Sequence, residues 1–153
     1  MEKSIQDFYP DESAWCYGCG RLNTDGLHIQ TFWEGEGTVA RFEPRPYHLA
    51  IPGYVYGGLI ASLVDCHGTG SAALAAYRAA GREPGTEPPF RFVTGSLHVD
   101  YRRPTPMGPL VLYGRIAEVR GRKVVVEIDV VADGQITANG QVVAVQVPDN
   151  WGQ

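Results

Sequence analysis

The sequence has no excess of basic charge: 13 lysines and arginines stand against 17 acidic residues, for a net charge of −4. Tracking nucleic-acid phosphates takes a basic face, so no nucleic-acid partner is expected. A long hydrophobic run is also missing. The best candidate, residues 49–64, is broken by Pro52, Gly53, Gly57 and Gly58, and the first ten residues carry Glu2, Lys3 and Asp7 with no apolar stretch of signal-peptide length. These features predict a cytoplasmic protein without a membrane role. Cysteine is scarce: Cys16, Cys19 and Cys66 are odd in number and too few for a disulfide framework. Cys16 and Cys19 have the spacing of a zinc pair, yet no second Cys or His pair follows at a suitable distance, so no metal is expected. Cys66 or His28 completes such a set only if folding happens to bring it there. No Gly-x-Ser-x-Gly elbow is present, which argues against a serine hydrolase. Gly68-Thr69-Gly70 faintly mimics a dinucleotide fingerprint but lies inside a helical pattern rather than after a strand, so that reading is rejected.

What is present suits one domain over 1–153, with an irregular segment over 1–25. Alternation over 27–33 and 38–43, with Gly35-Glu36-Gly37 between them, predicts a hairpin. From Tyr56 to about Ala80, apolar residues fall at helical spacing among many alanines, and Asp65 and Arg78 are the only charged residues. A helix apolar almost all round is buried on most sides. Gly68 and Gly70 each weaken it by about 1 kcal/mol relative to alanine, which implies close approach of a strand or ligand. Four strands are predicted at 91–103, 110–119, 123–132 and 135–147, the last pair joined by Asp133-Gly134, a strong hairpin signal. In the last strand Ile136, Ala138, Val142 and Ala144 are expected on one face, with Thr137, Asn139 and Gln141 on the other. A half-buried antiparallel sheet needs a cover, and one long helix is available. The expected class is therefore α+β: about six antiparallel strands curled around a central helix, the hotdog architecture.

The stretch Tyr54-Val55-Tyr56-Gly57-Gly58 through Asp65 resembles the hotdog-fold acyl-CoA thioesterases of the phenylacetate-pathway type. Their helix opens with His-Gly-Gly and bears Asp or Glu seven residues after the second glycine. Residues 93–104, running from Val93-Thr94 to Arg103-Pro104, look like that family's central strand, and Cys16-Tyr17-Gly18-Cys19-Gly20 with Asn23 and Gly26-Leu27 looks like the N-terminal segment of one branch. Tyr56 stands in place of the histidine, and Ala50 where relatives often carry a polar residue. The resemblance implies hydrolysis of an acyl-CoA thioester by a homodimer or dimer of dimers, with coenzyme A entering as part of the substrate and no separate cofactor.

The residue chemistry agrees. A helix N-terminus offers free N–H groups and a favourable dipole to a carbonyl gaining negative charge. Glycine at 57 and 58 admits substrate close to the backbone, making the Gly57 N–H the candidate oxyanion donor. Asp65 is the candidate catalytic carboxylate, as general base or as nucleophile. Thr94, by the resemblance, reaches a partner's site and orients water or carboxylate. Tyr56, Gly58, His67 and Thr69 are candidates for binding the acyl group. Arg102, Arg103, Arg122 and Lys123, near strand ends, are candidates for the phosphates of coenzyme A. Two other readings stay open: an acyl-thioester dehydratase using His67 with a carboxylate, and a non-catalytic acyl-CoA sensor.

Overall fold

A computed structural model describes residues 1–151 of the chain. Two short 3-10 turns, Ile5–Phe8 and Asp11–Ser13, precede the strands. The strands are β1 (Phe32–Glu34), β2 (Gly37–Phe42), β3 (Phe92–Tyr101), β4 (Leu110–Arg120), β5 (Lys123–Ala132) and β6 (Gln135–Gln146), and between β2 and β3 lies α1 (Gly57–Ala79), the one α-helix among the described residues. They form one six-stranded sheet in the order β1-β2-β4-β5-β6-β3, every neighbouring pair antiparallel. The sheet wraps α1, so the expected hotdog fold is the one observed.

The helix is greasy on nearly every side because nearly every side is covered. Leu59, Ile60, Leu63 and Val64 pack with Ala40, Leu112, Val126 and Val142 in one core cluster. By length and a mean hydropathy of 1.2 over eighteen residues α1 could cross a bilayer, but 72% of that window is buried inside the fold. The glycines explain how helix and sheet come so close. A Cβ at Gly68 lies 2.4 Å from a methyl of Val142 on β6, and a Cβ at Gly140 on β6 lies 2.4 Å from a methyl of Val64 on α1. Each element thus leaves a gap that the other's valine fills, and the close approach expected at Gly68 is that of a strand.

Two expectations need correction. The first strand begins only at Phe32, because the backbone before it is claimed by the N-terminal segment: Leu27 N–H donates to Tyr17 O, Ile29 N–H to Gly18 O, and Thr31 N–H to Gln6 Oε1. In β6 a bulge opposite Val130/Val131 shifts the alternation, so Thr137 is buried and Ile136 is exposed, the reverse of the expected facing. Thr137 Oγ1 accepts from Thr105 Oγ1 at 2.8 Å, which makes its burial tolerable. The Asp133-Gly134 turn has φ of 53° and 73°, as a two-residue hairpin requires.

Candidate active site

Asp65 sits half-buried two turns into α1. Thr94, near the start of β3, donates its hydroxyl to Asp65 Oδ1. The threonine therefore meets the aspartate within its own chain. Both residues line a cavity of about 400 Å³ together with Thr69, Tyr9, Phe90 and Phe92, which lies within the size range of small-molecule sites. Thr69 is one turn beyond Asp65 and spends its hydroxyl proton on the carbonyl of Cys66 at 3.2 Å. Ser13 also faces the cavity, and its Oγ is the buried side-chain oxygen left without a partner among the described residues.

The remaining sequence candidates divide. His67 is fully buried, with Nδ1 3.0 Å from Thr31 Oγ1 and Nε2 3.2 Å from Thr38 Oγ1. Thr38 Oγ1 is in turn 2.7 Å from Ser71 Oγ. Burial holds this imidazole well below its ordinary value, at about 3. The ring does not line the Asp65 cavity: one residue past Cys66 on a helix points a different way. Tyr56 is exposed and caps α1, its ring lying where a Cβ on Gly58 would stand. The Tyr101 hydroxyl donates to Gly57 O at 2.7 Å and pins the first turn to the far end of β3. Eight residues of helix put Gly57 about 12 Å from Asp65 along the axis, so one carbonyl cannot touch both groups of a single chain.

The four basic candidates fall into two pairs at opposite ends of the sheet. Arg102 and Arg103 donate to Asn139 Oδ1 and Gln135 Oε1, beside the start of β6, whereas Arg122 donates to Gln146 O at its end and Lys123 is its chain neighbour. From Thr137 to Gln146 is about 30 Å of strand. Arg102 and Arg103 share the end of the molecule that holds Gly57; Arg122 and Lys123 do not.

Sequence reasoning missed the N-terminal wall of the cavity. Cys16, Cys19 and Cys66 come together there, with their sulfurs all within 4.8 Å of one another and Cys16 Sγ 3.8 Å from Cys66 Sγ. Donation from the Cys19 and Cys66 thiols, aided by backbone N–H groups of Cys19 and Gly18, pulls Cys16 down to about 2. Cys19, whose thiol hydrogen-bonds toward Cys16, is pushed up to about 12, and Cys66 is raised for the same reason. The available signal was the adjacency of Cys66 to Asp65: a residue next to the acid on a buried helix lies close to the same space.

Comparison with known proteins gives the chain its class. The profile of the Thioesterase superfamily matches residues 52–139, which run from the loop before α1 into the first part of β6. The chain belongs to that superfamily. A crystal structure of a thioesterase superfamily protein from Shewanella loihica is 48% identical, with a TM-score of 0.70 over 94% of this chain and 99% of that one. An acyl-coenzyme A thioesterase THEM4 from Xenopus laevis is 34% identical over 87 residues, 56% of this chain and 33% of that protein. The match thus spans about a third of that curated relative. A phenylacetic acid degradation-related putative thioesterase from Ralstonia eutropha is 18% identical with a TM-score of 0.63, over 79% of this chain and 86% of that one. At that identity it shares the fold alone.

Proposed function

We propose that the protein is a cytoplasmic acyl-CoA thioesterase, of the kind that pairs an N-terminal glycine turn with a helical carboxylate. In this reading the Asp65 carboxylate, held by Thr94, activates water or itself attacks the thioester carbonyl. The bond to sulfur breaks, and the products are the free acid and coenzyme A. The observation that carries the reading is the half-buried acid–hydroxyl pair on the wall of an apolar, aromatic-lined cavity. The sealed position of His67 counts against a dehydratase, which needs a histidine beside the carboxylate.

The separation of Gly57 from Asp65 supports a site built from two copies, the Gly57 N–H of one polarising the carbonyl and Asp65 of the other working on it. β3 is an edge strand of ten residues with exposed Leu97 and Tyr101, a suitable edge for pairing with its twin in a homodimer or dimer of dimers. Arg102 and Arg103 then stand at the Gly57 end to meet coenzyme A phosphates.

The test is release of free thiol from a panel of acyl-CoAs. Asp65→Asn is expected to lower kcat by about 10²- to 10⁴-fold with the fold intact. Gly57→Pro removes the N–H at the first helical position, where proline is tolerated and Tyr56 already has the extended conformation proline demands of its predecessor. It should lower kcat by about 10²-fold or more. Mixing the two inactive variants under exchange should restore a fraction of the wild-type rate, because one hybrid site then holds both groups. Wild-type protein that binds acyl-CoA without turnover sinks the hydrolase reading in favour of a sensor. Loss of hydrolysis in each variant with no recovery on mixing, once subunit exchange is verified, sinks the two-copy site.

A further inference from the structure

We infer that Cys16, Cys19 and Cys66 form a binding site for one soft divalent metal ion, with Zn²⁺ as the fitting occupant, tying the N-terminal loop to α1 beside the cavity.

A tetrahedral zinc with Zn–S bonds of about 2.3 Å sets its sulfurs about 3.8 Å apart. Cys16 Sγ and Cys66 Sγ are 3.8 Å apart, and the three sulfurs all lie within 4.8 Å of one another. Side chains 50 positions apart in the chain thus stand nearly at coordination distance. Thiols meeting by chance in a core have no reason to converge on one point.

The backbone is shaped around the sulfurs as well. Gly18 carries no side chain for a visible reason: a Cβ there lies 2.2 Å from Cys66 Sγ. Gly20 is equally confined, since a Cβ there lies 2.4 Å from Cys16 N and 2.5 Å from Ala14 O, while its own N–H donates to Cys16 O at 2.7 Å. The loop is therefore wound tightly around Cys16 and Cys19 and presses on Cys66.

The donor set selects the ion. Three thiolates and no hard oxygen favour zinc over magnesium or calcium. All three cysteines line the cavity, and Cys16 is exposed, so the fourth coordination position opens on the cavity and is filled by solvent. Binding releases the thiol protons to water, leaving a complex of net charge −1 from three thiolates and a dication. This inference does not depend on what Asp65 does. A disulfide is the competing use of the cluster, but it joins two sulfurs and leaves the third without a role.

The test is elemental analysis of the full-length protein, expressed with zinc supplied and purified in a phosphine reductant without chelator. About one zinc per chain is expected, with Cys66→Ser and Cys19→Ser each lowering it about tenfold or more. Cobalt(II) added to wild-type protein after zinc removal should give the absorption of a tetrahedral thiolate complex and sulfur-to-cobalt charge transfer, a readout that needs no variant to fold. Asp65→Asn should keep its zinc, which separates loss of the metal from loss of hydrolysis. Wild-type protein that carries three titratable thiols, holds no zinc and gives no cobalt spectrum overturns the site. A mass two hydrogens light, from a disulfide in protein purified without reductant and resistant to zinc, does the same.

Discussion

Cys66 and His67 are neighbours on one helix, both buried and both polar, yet their surroundings differ in kind. His67 faces Thr31, Thr38 and Ser71, a closed set in which every side-chain heteroatom has a partner. Cys66 faces two other thiols and, past them, open cavity with Asp65 and Thr69 on the same wall. A buried polar group whose partners all lie within the fold stabilises one arrangement. One that borders empty space is placed to meet something from outside. Burial and polarity alone do not separate structural from functional residues; the neighbouring space does.

Acid separates the two residues most strongly. The folded imidazole of His67 is held at about 3, against 6.5 for a free ring, mainly by burial. The unfolded chain therefore takes up a proton at a pH where the folded chain does not. The stability linked to His67 is complete above pH 6.5 and drains away as pH falls toward 3. In that window the slope is about 1.4 kcal/mol per pH unit. Urea unfolding across the window should show this slope, reduced by that amount in His67→Gln, which keeps a hydrogen-bonding side chain but does not titrate. Equal slopes in the two proteins would mean that the ring is not sealed.

Much of this was legible before the fold was known, and the failures have physical causes. α1 and β5 were readable almost to the residue, because α1 is set by apolar periodicity and β5 is a valine-rich run bounded by the turns at Gly121 and Asp133-Gly134. The phase at the start of β6 was not, although it holds from Ala138 onward, since a bulge is a one-residue event that leaves no mark on an alternating pattern. Asp65 stood out as a carboxylate in an apolar helix. Its meeting with Thr94 within one chain, and the arrival of Cys66 beside Cys16 and Cys19, depend on contacts 29 and 50 positions apart. No local pattern encodes such distances. His67 looked like a pocket residue because a helical wheel cannot tell a face turned to strands from one turned to space. The basic residues could not be sorted for a similar reason: Arg102, Arg103, Arg122 and Lys123 all lie near strand ends, but only the pairing order reveals which end.

Two glycines allow the comparison to be made with matched perturbations. A Cβ at Gly114 falls 2.2 Å from Thr38 Oγ1, with His67 Nε2 at 3.1 Å and Ser71 Oγ at 3.3 Å. A Cβ at Gly18 falls 2.2 Å from Cys66 Sγ. The overlaps are equal; the available responses are not. Thr38 can yield only by breaking bonds to His67 and Ser71 in a region without spare volume, so Gly114→Ala should cost about 3 kcal/mol. The Cys66 sulfur has cavity beside it and can swing away, so Gly18→Ala should cost about 1 kcal/mol, the price of a displaced rotamer. Chemical denaturation of both variants measures the difference. The function-linked readouts should run the other way, because Gly114→Ala disturbs no group on the cavity wall, whereas Gly18→Ala pushes a sulfur out of position. Zinc content should therefore fall in Gly18→Ala and hold in whatever fraction of Gly114→Ala stays folded. Equal destabilisation by the two alanines would show that the thiol side is packed as tightly as the histidine side, and the contrast drawn from the neighbouring space would fail.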